Sequence, residues 1–90
     1  MVKRAKLEIM RDILLMIKNN HGKMKPTPLL RKSGLSSSGF KEYYSYLLAR
    51  ELVKIDSDNN LSKQVILTEK GSKFLERYKT IVDFIEEFDL

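Results

Sequence analysis

The chain has 90 residues, no cysteine, and a net charge of +5 from 17 basic against 12 acidic side chains. That length makes one domain with a core of moderate size, so a dimer burying further apolar surface is expected. The missing cysteines exclude disulfides and thiolate metal sites, and the regular recurrence of apolar residues excludes disorder.

Residues 4–19 read as a helix. Leu7, Met10, Leu14 and Ile17 form one apolar stripe, and Ile9, Ile13 and Met16 a second. Two stripes exceed what one core face needs, which predicts cover from the chain's own domain and from a partner chain. The basic start, Lys3, Arg4 and Lys6, is followed by Glu8, Arg11 and Asp12, so it is not a signal peptide. No run is long or apolar enough to span a membrane.

Asn19-Asn20-His21-Gly22 stops this helix, and Lys23-Met24-Lys25 is a candidate edge strand. Thr27 then reads as an N-cap with Pro28 at the first helical position, opening a helix of about two turns that Gly34 ends. Leu35 plugs the turn. Ser36 or Ser37 caps the next helix, which runs to Glu51. Phe40, Tyr44, Leu47 and Glu51 share one direction, flanked by Tyr43 and Leu48, and this side must face the core. Ser38, Glu42, Ser45 and Ala49 lie opposite, with Lys41 and Tyr46 on the shoulders.

Residues 52–56 and 61–67 are rich in branched side chains and read as two strands. The Ser57-Asp58-Asn59-Asn60 tip between them favours a turn. Thr68 caps a last helix running to Phe88, with Glu69 suited to its N-terminal dipole. The order is helix, short strand, helix, helix, strand, strand, helix. This is a mainly α fold with a small β-hairpin. Residues 1–67 form a winged helix-turn-helix, and residues 68–90 a long C-terminal dimerisation helix of the same single domain.

Four constellations point to function. In the helix-turn-helix of residues 27–51 the second helix can lie in a DNA major groove. Its groove-facing candidates are Ser37, Ser38, Lys41, Glu42, Ser45 and Tyr46. Serine hydroxyls and Lys41 suit phosphates or base edges. Glu42 repels phosphate, so it either accepts from a cytosine amine or pairs with Lys41, Tyr46 or a nearby arginine. Such a reading head predicts low sequence specificity. A winged helix that binds protein instead is the alternative.

The hairpin carries Lys54 and Lys63 beside a tip holding Asp58, which predicts one or two phosphate contacts at most or a purely structural hairpin. Lys3, Arg4 and Lys6, with Lys23, Lys25, Arg31 and Lys32, form a basic set suited to backbone phosphates or simply to solvent.

The last helix carries Phe74, Tyr78, Ile81, Ile85 and Phe88 at coiled-coil spacing, widened by Leu75, Val82 and Phe84. It is basic first (Lys70, Lys73, Arg77, Lys79) and acidic last (Asp83, Glu86, Glu87, Asp89). Residues 1–82 hold all 17 basic side chains against eight acids, a net of +9, which suits a polyanionic partner. An antiparallel pair sets the basic half of one helix against the acidic half of another. A homodimer through Phe74, Tyr78, Ile81, Val82, Ile85 and Phe88 is expected. The alternative is that this seam packs entirely against the chain's own first helix.

No enzyme chemistry is expected. His21 is the one histidine, in a polar loop, and the serines have no histidine in a pattern for nucleophilic catalysis. There is no Gly-rich phosphate loop, and no cofactor, metal site or small-molecule ligand is evident.

Lys25-Pro26-Thr27, Leu35-Ser36, Tyr43, Leu47-Leu48, Leu52-Val53, and Leu67-Thr68-Glu69-Lys70-Gly71 with Phe74-Leu75 and Tyr78, resemble the small archaeal winged-helix DNA-binding proteins of the ten-kilodalton chromatin-associated type. The likeness covers residues 3–85. It implies an antiparallel C-terminal helix pair, two DNA-binding winged helices, and sequence-tolerant binding to double-stranded DNA in a cytoplasmic, nucleoid-associated setting. A sequence-specific transcriptional regulator is the second expectation, and a winged-helix protein–protein interaction module the third. Glu51 stands where such proteins often carry glycine, which predicts a different turn. Ser37, Ser38 and Glu42 make the reading face less basic than a strong chromatin binder's.

Overall fold

The computed structural model describes residues 2–57 and 63–90, with side chains from Lys6 onward. Its elements are α1 (Val2–Asn19), β1 (Lys23–Met24), α2 (Pro26–Ser33), α3 (Ser37–Ala49), β2 (Val53–Asp56), β3 (Gln64–Leu67) and α4 (Glu69–Glu87). The strands form one antiparallel sheet in the order β1-β3-β2. Val53 pairs with Leu67 and Asp56 with Gln64, while Met24 of the short edge strand pairs with Val65. The fold is the mainly helical winged helix expected, with a long last helix. Asp58, Asn59 and Asn60 of the expected hairpin tip lie outside the described residues.

The core explains why α1 carries two stripes. Met10, Ile13, Leu14 and Ile17 are all buried, and Ile9, Leu15 and Met16 pack against the same cluster. The chain itself covers much of both stripes, with α2, the sheet and α4 around α1; Leu7 stays 43% exposed. Leu29 of α2, Phe40 and Leu47 of α3, Leu52 before the sheet, Met24, Val53 and Val65 of the sheet and Leu75 of α4 complete the interior. Each fully buried aliphatic side chain contributes about 1.5–3 kcal/mol of transfer free energy.

The expected start of α2 is corrected, and α3 ends at Ala49 rather than Glu51. Thr27 is not an N-cap: α2 begins at Pro26, and Lys25 caps it from an extended conformation (φ −73°, ψ 149°) without a side-chain bond. A residue before proline is pushed to extended backbone, so Lys25 cannot join the helix. Pro26 and Pro28 both fall among the first turn's N–H positions, which have no helical partner, so neither costs a bond.

Three helices end alike. In α3 the Leu52 N–H donates to the Leu47 carbonyl (3.0 Å) and the Glu51 N–H to the Leu48 carbonyl (3.0 Å), with Glu51 left-handed at φ 60°. This is a Schellman motif, in which glycine normally takes the left-handed place. The expectation of a different turn at Glu51 is therefore wrong: the turn is kept, and a glutamate occupies it. His21 (φ 66°) after α1 and Asp89 (φ 56°) after α4 take equivalent places.

Candidate nucleic-acid interface

The helix-turn-helix is built by short-range bonds. Gly34 ends α2 at φ 73°. The Ser33 hydroxyl donates to the Leu30 carbonyl (2.7 Å) and accepts from the Leu35 N–H (3.2 Å), which tightens the turn. Ser36 caps α3, accepting from the Gly39 N–H at 3.1 Å. The N–H groups of Ser37 and Ser38 have no helical carbonyl to reach, so the start of α3 offers donors and the positive end of its dipole. Arg31 and Ser37 line the same shallow depression there.

Burial of Phe40 and Leu47, with Tyr43, Tyr44 and Leu48 packed beside them, turns the other side of α3 outward. Ser37, Ser38, Lys41, Glu42, Ser45 and Ala49 are exposed along it. Arg31, Lys32 and Lys25 are exposed on α2 and just before it, and Lys54 and Lys63 on and beside the hairpin strands. Lys3 and Arg4 lie in the first turn of α1, outside the residues whose side chains are described.

Tyr46 sits differently from the other α3 candidates. Its half-buried ring meets two cations: Lys6 Nζ lies 3.3 Å from the ring centroid and Arg50 Cζ 4.1 Å. Lys6, by hydrogen bonding and by charge, and then Arg50 hold the Tyr46 hydroxyl below the usual tyrosine pKa. Burial pushes Tyr44 the other way. Lys6 therefore joins the rim of the α3 face, through a contact between α1 and the end of α3. Arg50 is a cation the sequence reading missed; its place four residues after Tyr46 is the signal that could have found it.

The same group closes a cleft of about 520 Å³ between α1, the end of α3 and the start of α4. Leu7, Met10, Leu52 and Phe74 give it an apolar wall, and Lys6, Arg50 and Lys70 stand at it with Tyr46.

Along α4 the expected seam divides. Phe74 packs against the core and stacks on Tyr78, and Arg11 lies 5.2 Å from the Tyr78 ring. Val82 and Ile85 are half-buried. Ile81 and Phe88 are 56% and 57% exposed, and Phe84, 54% exposed, lies tilted against the Phe88 ring at 4.9 Å between centroids. The seam is thus not wholly used by the chain's own first helix. No helix among the described residues is long and apolar enough to cross a membrane.

No curated protein matches the chain. Among solved structures it is similar to Sso10a-2, a DNA-binding protein from Sulfolobus solfataricus (24% identity, TM-score 0.71, 91% of this chain and 82% of that one). It is also similar to AF1382 from Archaeoglobus fulgidus (21%, 0.67, 93% and 90%). MepR, a transcription regulator of the Staphylococcus aureus multidrug efflux pump MepA, shares the fold at 16% identity and TM-score 0.74; the match covers 89% of this chain and 60% of that longer one. Residues 3–86 match the family model described as winged helix-turn-helix. The capped helix-turn-helix, the hairpin behind it and that match together make the chain a member of the winged helix-turn-helix family.

Proposed function

We propose that this protein binds double-stranded DNA, mostly through phosphates and with low sequence specificity, as a chromatin- or nucleoid-associated dimer in the cytoplasm. The observation that carries the reading is the outward face of α3. It is small and polar, opens with N–H donors that have no helical partner, carries Lys41, and is bordered by Arg31 at its start and by Arg50 and Lys6 at Tyr46, with Lys32 exposed on the neighbouring α2. Serine hydroxyls and helix-start amides suit phosphate oxygens, and the cations hold the duplex by charge. Lys25, Lys54 and Lys63, with Lys3 and Arg4, extend the contact along the flanking backbone. Sso10a-2 is itself described as a DNA-binding protein.

The exposed Ile81, Phe84 and Phe88 favour a dimer through α4. Lys70, Lys73, Arg77 and Lys79 of one helix then face Asp83, Glu86, Glu87 and Asp89 of another in an antiparallel pair. In that arrangement residues 1–67 present DNA-binding surface and residues 68–90 join the two copies.

Binding of unrelated duplexes, measured across salt, tests the reading. The log–log slope is expected to be steep, about −0.9 for each neutralised phosphate. Binding that ignores salt, or no binding at low salt, overturns it. Glu42 at the centre of the α3 face favours a second reading, a regulator with a preferred operator, because a carboxylate can accept from a cytosine amine. Selection from random duplexes separates the two: a sharp palindromic consensus supports regulation.

A further inference from the structure

We infer that the α1–α3–α4 cleft receives the C-terminal turn of a second copy, with Phe88 and Leu90 entering between Leu7, Met10, Leu52 and Phe74. This deepens, and rests on, the proposed antiparallel dimer. Four observations converge on it.

The first is alignment. At about 100° per residue, Lys70, Phe74, Ile81, Phe84 and Phe88 fall on one stripe of α4, while Gly71 and Leu75 point into the core. The cleft wall formed by Lys70 and Phe74 therefore continues the exposed seam. A helix laid along that seam runs into the cleft.

The second is register. An antiparallel pair with its two-fold axis at Ile81 sets Asp83 opposite Lys79, Phe84 opposite Tyr78, Phe88 opposite Phe74, and Asp89 opposite Lys73. Two of these pairs join opposite charges and two join aromatic rings. The end of one α4 arrives at the cleft of the other copy.

The third is the shape of the guest. The chain after α4 is held in a turn: the Leu90 N–H donates to the Ile85 carbonyl at 2.9 Å and the Asp89 N–H to the Glu86 carbonyl at 3.2 Å. This turn carries Phe88, 57% exposed, and Leu90, 78% exposed, as an apolar knob on either side of Asp89.

The fourth is complementarity. The cleft pairs an apolar wall with Lys6, Arg50 and Lys70. The knob pairs two apolar side chains with Glu87 and Asp89. Once seated, it touches Tyr46 and Arg50 at the end of α3, so association of two copies bears directly on the proposed DNA-reading helix.

The test uses the wild-type chain and one variant. Solution mass gives the oligomeric state. Ile81→Cys introduces a single cysteine into a cysteine-free protein, at an exposed position that meets its own copy at the axis. Zero-length carbodiimide coupling on an equal mixture of nitrogen-15 and natural-abundance wild-type chains then reports contacts between copies by mass spectrometry. The expected result is a dimer, a rapid Ile81→Cys disulfide, and mixed-isotope links from Asp89 or Glu87 to Lys6 or Lys70. A dimer with the Ile81→Cys disulfide but with links confined to Lys73 and Lys79 overturns the inference and keeps the dimer. A dimer without that disulfide refutes the register, and the inference with it. A monomer at all concentrations removes both the inference and the dimer.

Discussion

The Leu52 carbonyl oxygen presses directly on Gly71, so that a Cβ added at Gly71 collides with it and with Leu67 Cδ1. Thr68 sets up the approach. Its N–H donates to the same Leu52 carbonyl (3.2 Å), and its hydroxyl donates to the Glu51 carbonyl (2.7 Å) while accepting from the Gly71 N–H (3.0 Å). The Leu-Thr-Glu-Lys-Gly run therefore clamps the start of α4 onto the end of α3. Threonine is needed for the cap and glycine for the close contact.

Gly71→Ala is accordingly expected to destabilise the fold by about 3 kcal/mol, near the upper end of overpacking costs, because backbone at both sides must move. Gly39→Ala is expected to cost less. Its Cβ meets only the Ser36 hydroxyl, at 3.1 Å, which is a side chain that can turn. Urea unfolding midpoints of the two variants check the order, and equal losses contradict the clamp.

Glu51 should be improvable. It holds a left-handed conformation that penalises any side chain by about 1–2 kcal/mol, against which glycine's greater unfolded-state entropy sets about 0.5–1 kcal/mol. Glu51→Gly is expected to stabilise the fold by about 1 kcal/mol in chemical denaturation. Glu51→Ala keeps the penalty and is expected to give no gain.

Local signals made much of this fold legible. Ser36 and Thr68 are caps whose partners lie three residues on, and the stripes of α1 and α3 follow from helical spacing alone. What escaped depended on distance or on near-equivalence. Pro26 and Pro28 each suit a first turn, so composition could not choose between Lys25 and Thr27 as the cap. The left-handed Glu51 is stabilised from outside its own turn, by the Thr68 hydroxyl seventeen residues later. Lys6 meets Tyr46 only because α1 crosses the end of α3. The proposed DNA contacts rest only on exposed cations beside a polar helix, since a phosphate accepts any cation in reach.

Tyr46 and Tyr44 should titrate apart. Tyr46 is expected to lose its proton below the ordinary tyrosine value, because Lys6 and Arg50 favour its phenolate. Tyr44 is expected to lose its proton above that value, because burial disfavours the charge. A depressed acid stabilises the fold above its unfolded pKa and loses that contribution as pH falls through the folded one. At neutral pH Tyr46 therefore contributes only its ring contact with the cations. A raised acid acts in reverse: the Tyr44 contribution is full below its unfolded pKa and is lost as pH rises through the folded one. Ultraviolet titration of Lys6→Met should return the early phenol toward the ordinary value and leave Tyr44 in place. An unchanged early phenol contradicts the Lys6–Tyr46 contact.

Charge changes at the α3 face should separate phosphate contacts from repulsion. Arg31 stands beside the open amides at the start of α3, and Lys41 on its outward face. Arg31→Gln and Lys41→Gln are each expected to weaken binding about equally for unrelated duplexes. Each should lower the magnitude of the salt slope by about 1, as the loss of one phosphate contact requires. Glu42→Gln has the opposite sign under low-specificity binding, since removing a carboxylate near phosphates raises affinity for every duplex. If Glu42 instead reads a cytosine amine, the same change leaves mean affinity low and relaxes preference at one base pair. Fluorescence anisotropy with a panel of duplexes at several salt concentrations measures both quantities. An unchanged salt slope in both Arg31→Gln and Lys41→Gln would remove this face from the interface.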